Sequence, residues 1–165
     1  MGAALGQRQD RLAPTPAPGR LPERPPAGAA PGRPSWCYGT PGIARALQLA
    51  ALALHDDTAR RLAEHMAFQA VTDFRQTCQI TDASVCHGWA GLLLTTDRIA
   101  SDSVLPDLTG ALPALRARVQ SAIAQGATPE DAGLLTGNAG VRLTQHTLTT
   151  PRPLDLGWET CLLLN

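Results

Sequence analysis

Cys37-Tyr38-Gly39-Thr40-Pro41-Gly42, Cys86-His87-Gly88-Trp89-Ala90-Gly91 and Leu135-Thr136-Gly137-Asn138-Ala139-Gly140 share a Gly-x-x-Gly core, and each leads into an apolar segment. Gly39, Gly88 and Gly137 stand at intervals of 49 residues. A constant period of this size marks a repeated supersecondary unit. Within each unit the periodicity is helical. After Gly42, residues Ile43, Ala46, Leu47, Ala50 and Leu54 follow the spacing of one helix face. Asp57 is placed to cap a second helix, whose Leu62, Met66, Ala70 and Phe74 again align. The second unit repeats the arrangement, with a helix from about Gly91 and another from Leu112 through Leu115 and Val119 to Ile123. Each repeat therefore reads as an αα-hairpin. No stretch alternates apolar and polar residues, so strands have little support. Glycine suits the helix starts because it has no Cβ and lets backbones approach closely where several helices converge.

Upstream of the first repeat the composition changes. Nine of the 14 prolines fall in the first 41 residues, and the stretch from Gly2 to Pro31 mixes Pro, Ala, Gly and Arg with few large apolar side chains. Such a segment cannot bury enough surface to offset its ordering entropy, which predicts a disordered segment or linker over residues 1–32. Residues 33–165 are then the folded domain, of ordinary size for one core.

Fourteen basic residues, all of them Arg, balance 14 acidic ones, so no net field draws the chain to nucleic acid or an anionic membrane. Aromatic residues make up 4% of the chain, too few for a base-stacking surface. No apolar stretch follows the N-terminal arginines as a secretory signal would require, and the run from Ile43 to Leu54 is interrupted by Arg45 and Gln48 and is too short to span a membrane. The expected location is the cytoplasm. In that reducing compartment Cys37, Cys78, Cys86 and Cys161 are read as thiols or metal ligands rather than disulfides.

The repeat aligns Cys37 with Cys86 and Tyr38 with His87. Hairpins packed side by side, with helix axes about 8 to 10 Å apart, would present these side chains at one level. Two thiolates, each about 2.3 Å from a shared zinc ion, are then reachable, with the His87 imidazole as third ligand. Three protein ligands leave one tetrahedral position open, which is the pattern of catalytic rather than structural zinc. The third repeat has Leu135 and Thr136 in these columns and offers no fourth ligand. Cys78 and Cys161 lie outside the register and are expected to be small buried hydrophobes. His55, His65 and His146 are expected at the surface or at helix ends.

With the flanking Trp36, Leu134 and the closing Gly157-Trp158-Glu159-Thr160-Cys161-Leu162-Leu163-Leu164-Asn165, these motifs resemble the C-terminal half of the lanthionine synthetase C-like cyclases of class I lanthipeptides. The resemblance spans about residues 33 to 165. It departs at Glu159, where the family usually has Asp after Trp. It implies an all-α, partial α/α toroid, with about three of the family's seven helical hairpins and an inner ring carrying the Gly-rich helix starts. It implies zinc held by Cys37, Cys86 and His87, with Arg33 and Tyr38 lining the active site. The implied activity is addition of peptide cysteine thiols to dehydroalanine or dehydrobutyrine, giving lanthionine or methyllanthionine. A dehydrated precursor peptide is then the substrate, and a lanthipeptide dehydratase is a further partner.

The family's proton-transferring His and its companion Asp come from its N-terminal half, and have no counterpart in this sequence. Cyclisation is therefore expected only when another chain completes the zinc half. The alternative is a non-catalytic fragment that keeps zinc or grips the precursor peptide. A protein prenyltransferase, which also activates a thiol, is disfavoured because that class commonly has a carboxylate among its metal ligands.

Overall fold

The computed structural model describes residues 31–128, 130–149 and 157–164, and all regular structure among them is helical. The elements are α1 (Thr40–Leu54), α2 (Asp57–Thr72), the short α3 (Phe74–Thr77), α4 (Trp89–Ser101), α5 (Pro106–Ala124), α6 (Asn138–Thr149) and a 3-10 helix (Trp158–Leu162). The pairs α1/α2 and α4/α5 are the two expected hairpins, and α6 opens the third repeat. Apart from residues 31 and 32, the segment read as disordered lies outside the described residues.

Helices α1, α4 and α6 form one row, with α4 in the middle, and α2 and α5 pack behind it. The central position explains why α4 buries nine residues, including Leu92, Leu94 and Ile99, none of which is exposed. Burying each such side chain stabilises the fold by roughly 1.5–3 kcal/mol. The chain end returns to this core: Leu162 and Leu164 are buried with Val85 and Leu94. Trp36 Nε1 donates to the Leu162 carbonyl at 3.0 Å, tying the first repeat to the last segment.

Local chemistry sets the helix ends. His55 closes α1 in the left-handed conformation, at φ 55°. The N-cap of α2 is Asp56, not the expected Asp57; its carboxylate accepts from the N–H groups of Thr58 (3.0 Å) and Ala59 (2.9 Å). An N-cap must itself lie outside helical φ/ψ, and Asp56, at φ −98° and ψ 90°, does. Pro106 begins α5, where its missing N–H costs nothing.

The faces of the first hairpin differ from expectation. Ile43, Ala46, Leu47, Ala50 and Leu54 all face outward, and the buried face of α1 is Pro41, Ala44, Arg45, Gln48 and Ala51. On α2 the buried residues are Ala63, Glu64, Ala67, Ala70 and Val71, while Leu62 is exposed. Phe74, also exposed, belongs to α3. Small residues bring α1 and α2 close together, and polar side chains fill the space between them. Gln48 Nε2 donates to Glu64 Oε1 and to the Ile99 carbonyl, both at 3.0 Å. Arg45 donates twice to the Leu164 carbonyl and once to Gln48 Oε1. In the second hairpin Leu115 and Val119 are buried and Ile123 is partly buried, as the periodicity predicts.

Candidate functional site

The three Gly-x-x-Gly segments form three copies of one turn. The second glycine of each lies against the carbonyl six residues earlier: a Cβ on Gly42, Gly91 or Gly140 would stand 1.8, 1.7 or 1.9 Å from the oxygen of Trp36, Val85 or Leu134. No side chain fits there, so glycine is required by close approach. Each first glycine serves as, or directly precedes, the start of an inner-row helix. Successive turns are joined by their backbones: the Cys37 N–H donates to the Cys86 carbonyl, and the Cys86 N–H to the Leu135 carbonyl at 2.8 Å. Residues in one register column thus become neighbours in space.

The consequence for Cys37 and Cys86 is direct. The two thiols influence each other, and Cys86 is pushed up to about 11. Partial burial is the main cause, followed by the hydrogen bond and charge of Cys37; Asp82 adds to the rise, while the Arg33 guanidinium opposes it. Cys37 is exposed and Cys86 half-buried, so the pair is open to solvent. Arg33 Nη2 donates to the Tyr38 hydroxyl at 2.6 Å, and its charge is felt at Cys86. His87 follows Cys86 in the same turn, but its Nε2 faces Asp82 Oδ2 at 3.8 Å. Among the described residues no group of three His, Cys, Asp or Glu side chains is drawn together as a metal site. The pair of soft thiols, with an imidazole on the adjacent residue, nevertheless has the donor chemistry that zinc takes.

Asp82 is the site residue that motif reading passed over. Its Oδ1 accepts from the Ser84 N–H at 2.7 Å and its carbonyl from the Trp89 N–H at 3.0 Å, while Oδ2 faces His87. The 49-residue register carried the signal, because it places Arg33, Asp82 and Asp131 in one column.

Cys78 and Cys161 are both exposed, which corrects the expectation that they are buried. Cys78 ends the short α3, and Cys161 lies on the outer side of the 3-10 helix between buried Glu159 and Leu162. Neither end-of-helix position offers a core to enter. His55, His65 and His146 are exposed, as expected.

The family described as lanthionine synthetase C-like protein matches residues 22–163. This chain belongs to that family. Among solved structures it is similar to nisin cyclase, with a TM-score of 0.69 and 23% identity, over 82% of this chain and 33% of that one. The likeness establishes the lanthionine synthetase C-like helical toroid fold, of which this chain spans about a third of the length of nisin cyclase. No curated protein matches the chain. Among the described residues no helix is long and apolar enough to cross a membrane.

Proposed function

We propose that this chain is the zinc-binding C-terminal portion of a lanthipeptide cyclase, acting on a dehydrated precursor peptide. The observation that carries the reading is the meeting of Cys37 and Cys86 at the start of the inner helices, through backbone-linked turns that place His87 on the next residue. Cys37, Cys86 and His87 would hold the ion and leave one position for a ligand. The chemistry zinc supplies there is deprotonation of an incoming peptide thiol, whose free pKa of roughly 8.5 would keep it mostly protonated at neutral pH.

The chain's own residues then act on the electrophile. When the thiolate sulfur bonds to the β-carbon of a dehydroalanine or dehydrobutyrine, the electron pair of the C=C bond moves to give an enolate, and the α-carbon later takes up a proton. Arg33 brings a permanent positive charge toward this anion and holds the Tyr38 hydroxyl beside it. His55, His65 and His146 lie at the end of α1 and within α2 and α6, outside the Gly-rich turns, so the acid for the α-carbon is assigned to a part of the cyclase outside this sequence. A dehydratase supplies the dehydrated substrate, and the cytoplasm, which keeps thiols reduced, is the compartment the reading requires.

Metal analysis of the purified chain tests the proposal. The expected result is about one zinc per chain, largely lost in Cys86→Ala. Wild-type protein purified without chelator, then incubated with zinc, desalted and found metal-free, would overturn it. With a dehydrated precursor peptide, the chain alone should give negligible loss of free peptide thiol.

A further inference from the structure

We propose that Asp82 is a positioning residue for His87, holding its imidazole by Nε2 so that Nδ1 is the nitrogen presented to a metal. The inference deepens the zinc reading above and rests on it. In each turn the side chain six residues before the first glycine lies near the side chain just before that glycine. Arg33 bonds Tyr38 at 2.6 Å, Asp82 faces His87 at 3.8 Å, and Asp131 and Thr136 both flank Gly133.

The third repeat separates two tasks that Asp82 combines. Asp131 Oδ1 accepts from the Gly133 N–H at 2.7 Å, and Asp82 Oδ1 accepts from the Ser84 N–H at the same distance. Building the turn is therefore common to both aspartates. Only Asp82 has an imidazole in the facing column, and its Oδ2 is directed there. A ligating histidine commonly gives its second ring N–H to a carboxylate, which selects the tautomer and orients the ring. Asp82 is placed for that task, while its carbonyl, which accepts from the Trp89 N–H, anchors it to the start of α4.

The test compares Asp82→Asn with Asp131→Asn in the full chain. Each substitution keeps a side-chain oxygen for the turn, but only the first removes the carboxylate facing His87. Cobalt(II) titration followed by zinc competition gives metal affinity, and ring ¹⁵N shifts of the zinc-loaded protein report the His87 tautomer. Asp82→Asn should weaken zinc binding about 10- to 100-fold and disturb the Nε2–H tautomer. Asp131→Asn should leave both unchanged. Equal affinity of Asp82→Asn and wild type overturns the proposal, as does an equal loss in the two variants. A wild-type chain that takes up no cobalt or zinc overturns the metal reading itself, and this role with it.

Discussion

The backbone N–H of Cys37 donates to the carbonyl of Cys86 at 3.4 Å, across 49 residues of sequence. The bond joins the two turns at the register position that carries the thiols, so the hairpins cannot shift relative to each other without separating the sulfurs. Side-chain proximity here is a property of the backbone.

Thiol labelling should divide the four cysteines into two pairs. Cys78 and Cys161 are exposed and lie outside the site, whereas Cys37 and Cys86 are the proposed zinc ligands. A thiolate that shares its electron pair with zinc is alkylated more slowly than an exposed free thiol. Zinc-loaded protein treated with iodoacetamide is expected to gain two labels by mass spectrometry, and four after chelation in denaturant. Four rapid labels in the zinc-loaded sample would remove Cys37 and Cys86 from the metal.

The glycines make opposite predictions according to their surroundings. Gly91→Ala puts a Cβ 1.7 Å from the Val85 carbonyl oxygen, and the turn must open to accept it. The expected loss of stability is about 4 kcal/mol or more, read from urea denaturation. Gly110 lies exposed within α5, with nothing within 4 Å of an added Cβ. Gly110→Ala should stabilise by about 0.5–1 kcal/mol, since alanine holds less backbone freedom in the unfolded chain. Equal effects at the two positions would contradict the close approach at Gly91.

These glycines also show why the repeat was legible in the sequence. A backbone contact that admits no side chain leaves a fixed residue type at a fixed interval, and three copies of it reveal the register. The face of α1 left no such mark. Arg45 and Gln48 read as interruptions in an apolar run, yet they are 3% and 0% exposed because their polar atoms find partners on α2, α4 and the chain end. Periodicity ranks faces by apolarity, and here the face that packs inward is small and polar. Asp82 was legible only in part: the register sets it in one column with Arg33 and Asp131, but its pairing with His87 emerges only when the turn folds back.

Glu64 tests that polar layer. Its Oε1 accepts from Gln48 Nε2 and Arg60 Nε, both at 3.0 Å, and its Oε2 accepts from Ser103 Oγ at 2.8 Å and the Val104 N–H at 3.2 Å. Glu64→Gln keeps the shape but turns an NH₂ group toward two donors. Leaving buried groups unpaired should lower stability by about 2–3 kcal/mol in chemical denaturation. A loss under about 0.5 kcal/mol would mean that the layer does not depend on the carboxylate.

Glu159 carries the final prediction, because it stands where the resemblance leads one to expect aspartate. It is 1% exposed and pairs with Arg98 of α4, which is itself 8% exposed. Arg98 also reaches Asp97 at 3.4 Å, but that carboxylate is shared with Arg116 at 3.6 Å. Removing Glu159 therefore strands most of a buried positive charge. Glu159→Ala should cost about 3–5 kcal/mol, since breaking one partner of a buried pair leaves the other uncompensated. Replacing both partners with apolar residues of similar volume removes the stranded charge as well. The double variant Arg98→Met, Glu159→Leu should thus be more stable than the sum of the single variants Arg98→Met and Glu159→Leu implies, giving a coupling energy of roughly 2 kcal/mol or more in a double-mutant cycle. Additive losses in that cycle would show that Glu159 holds the chain end by packing alone, independently of Arg98.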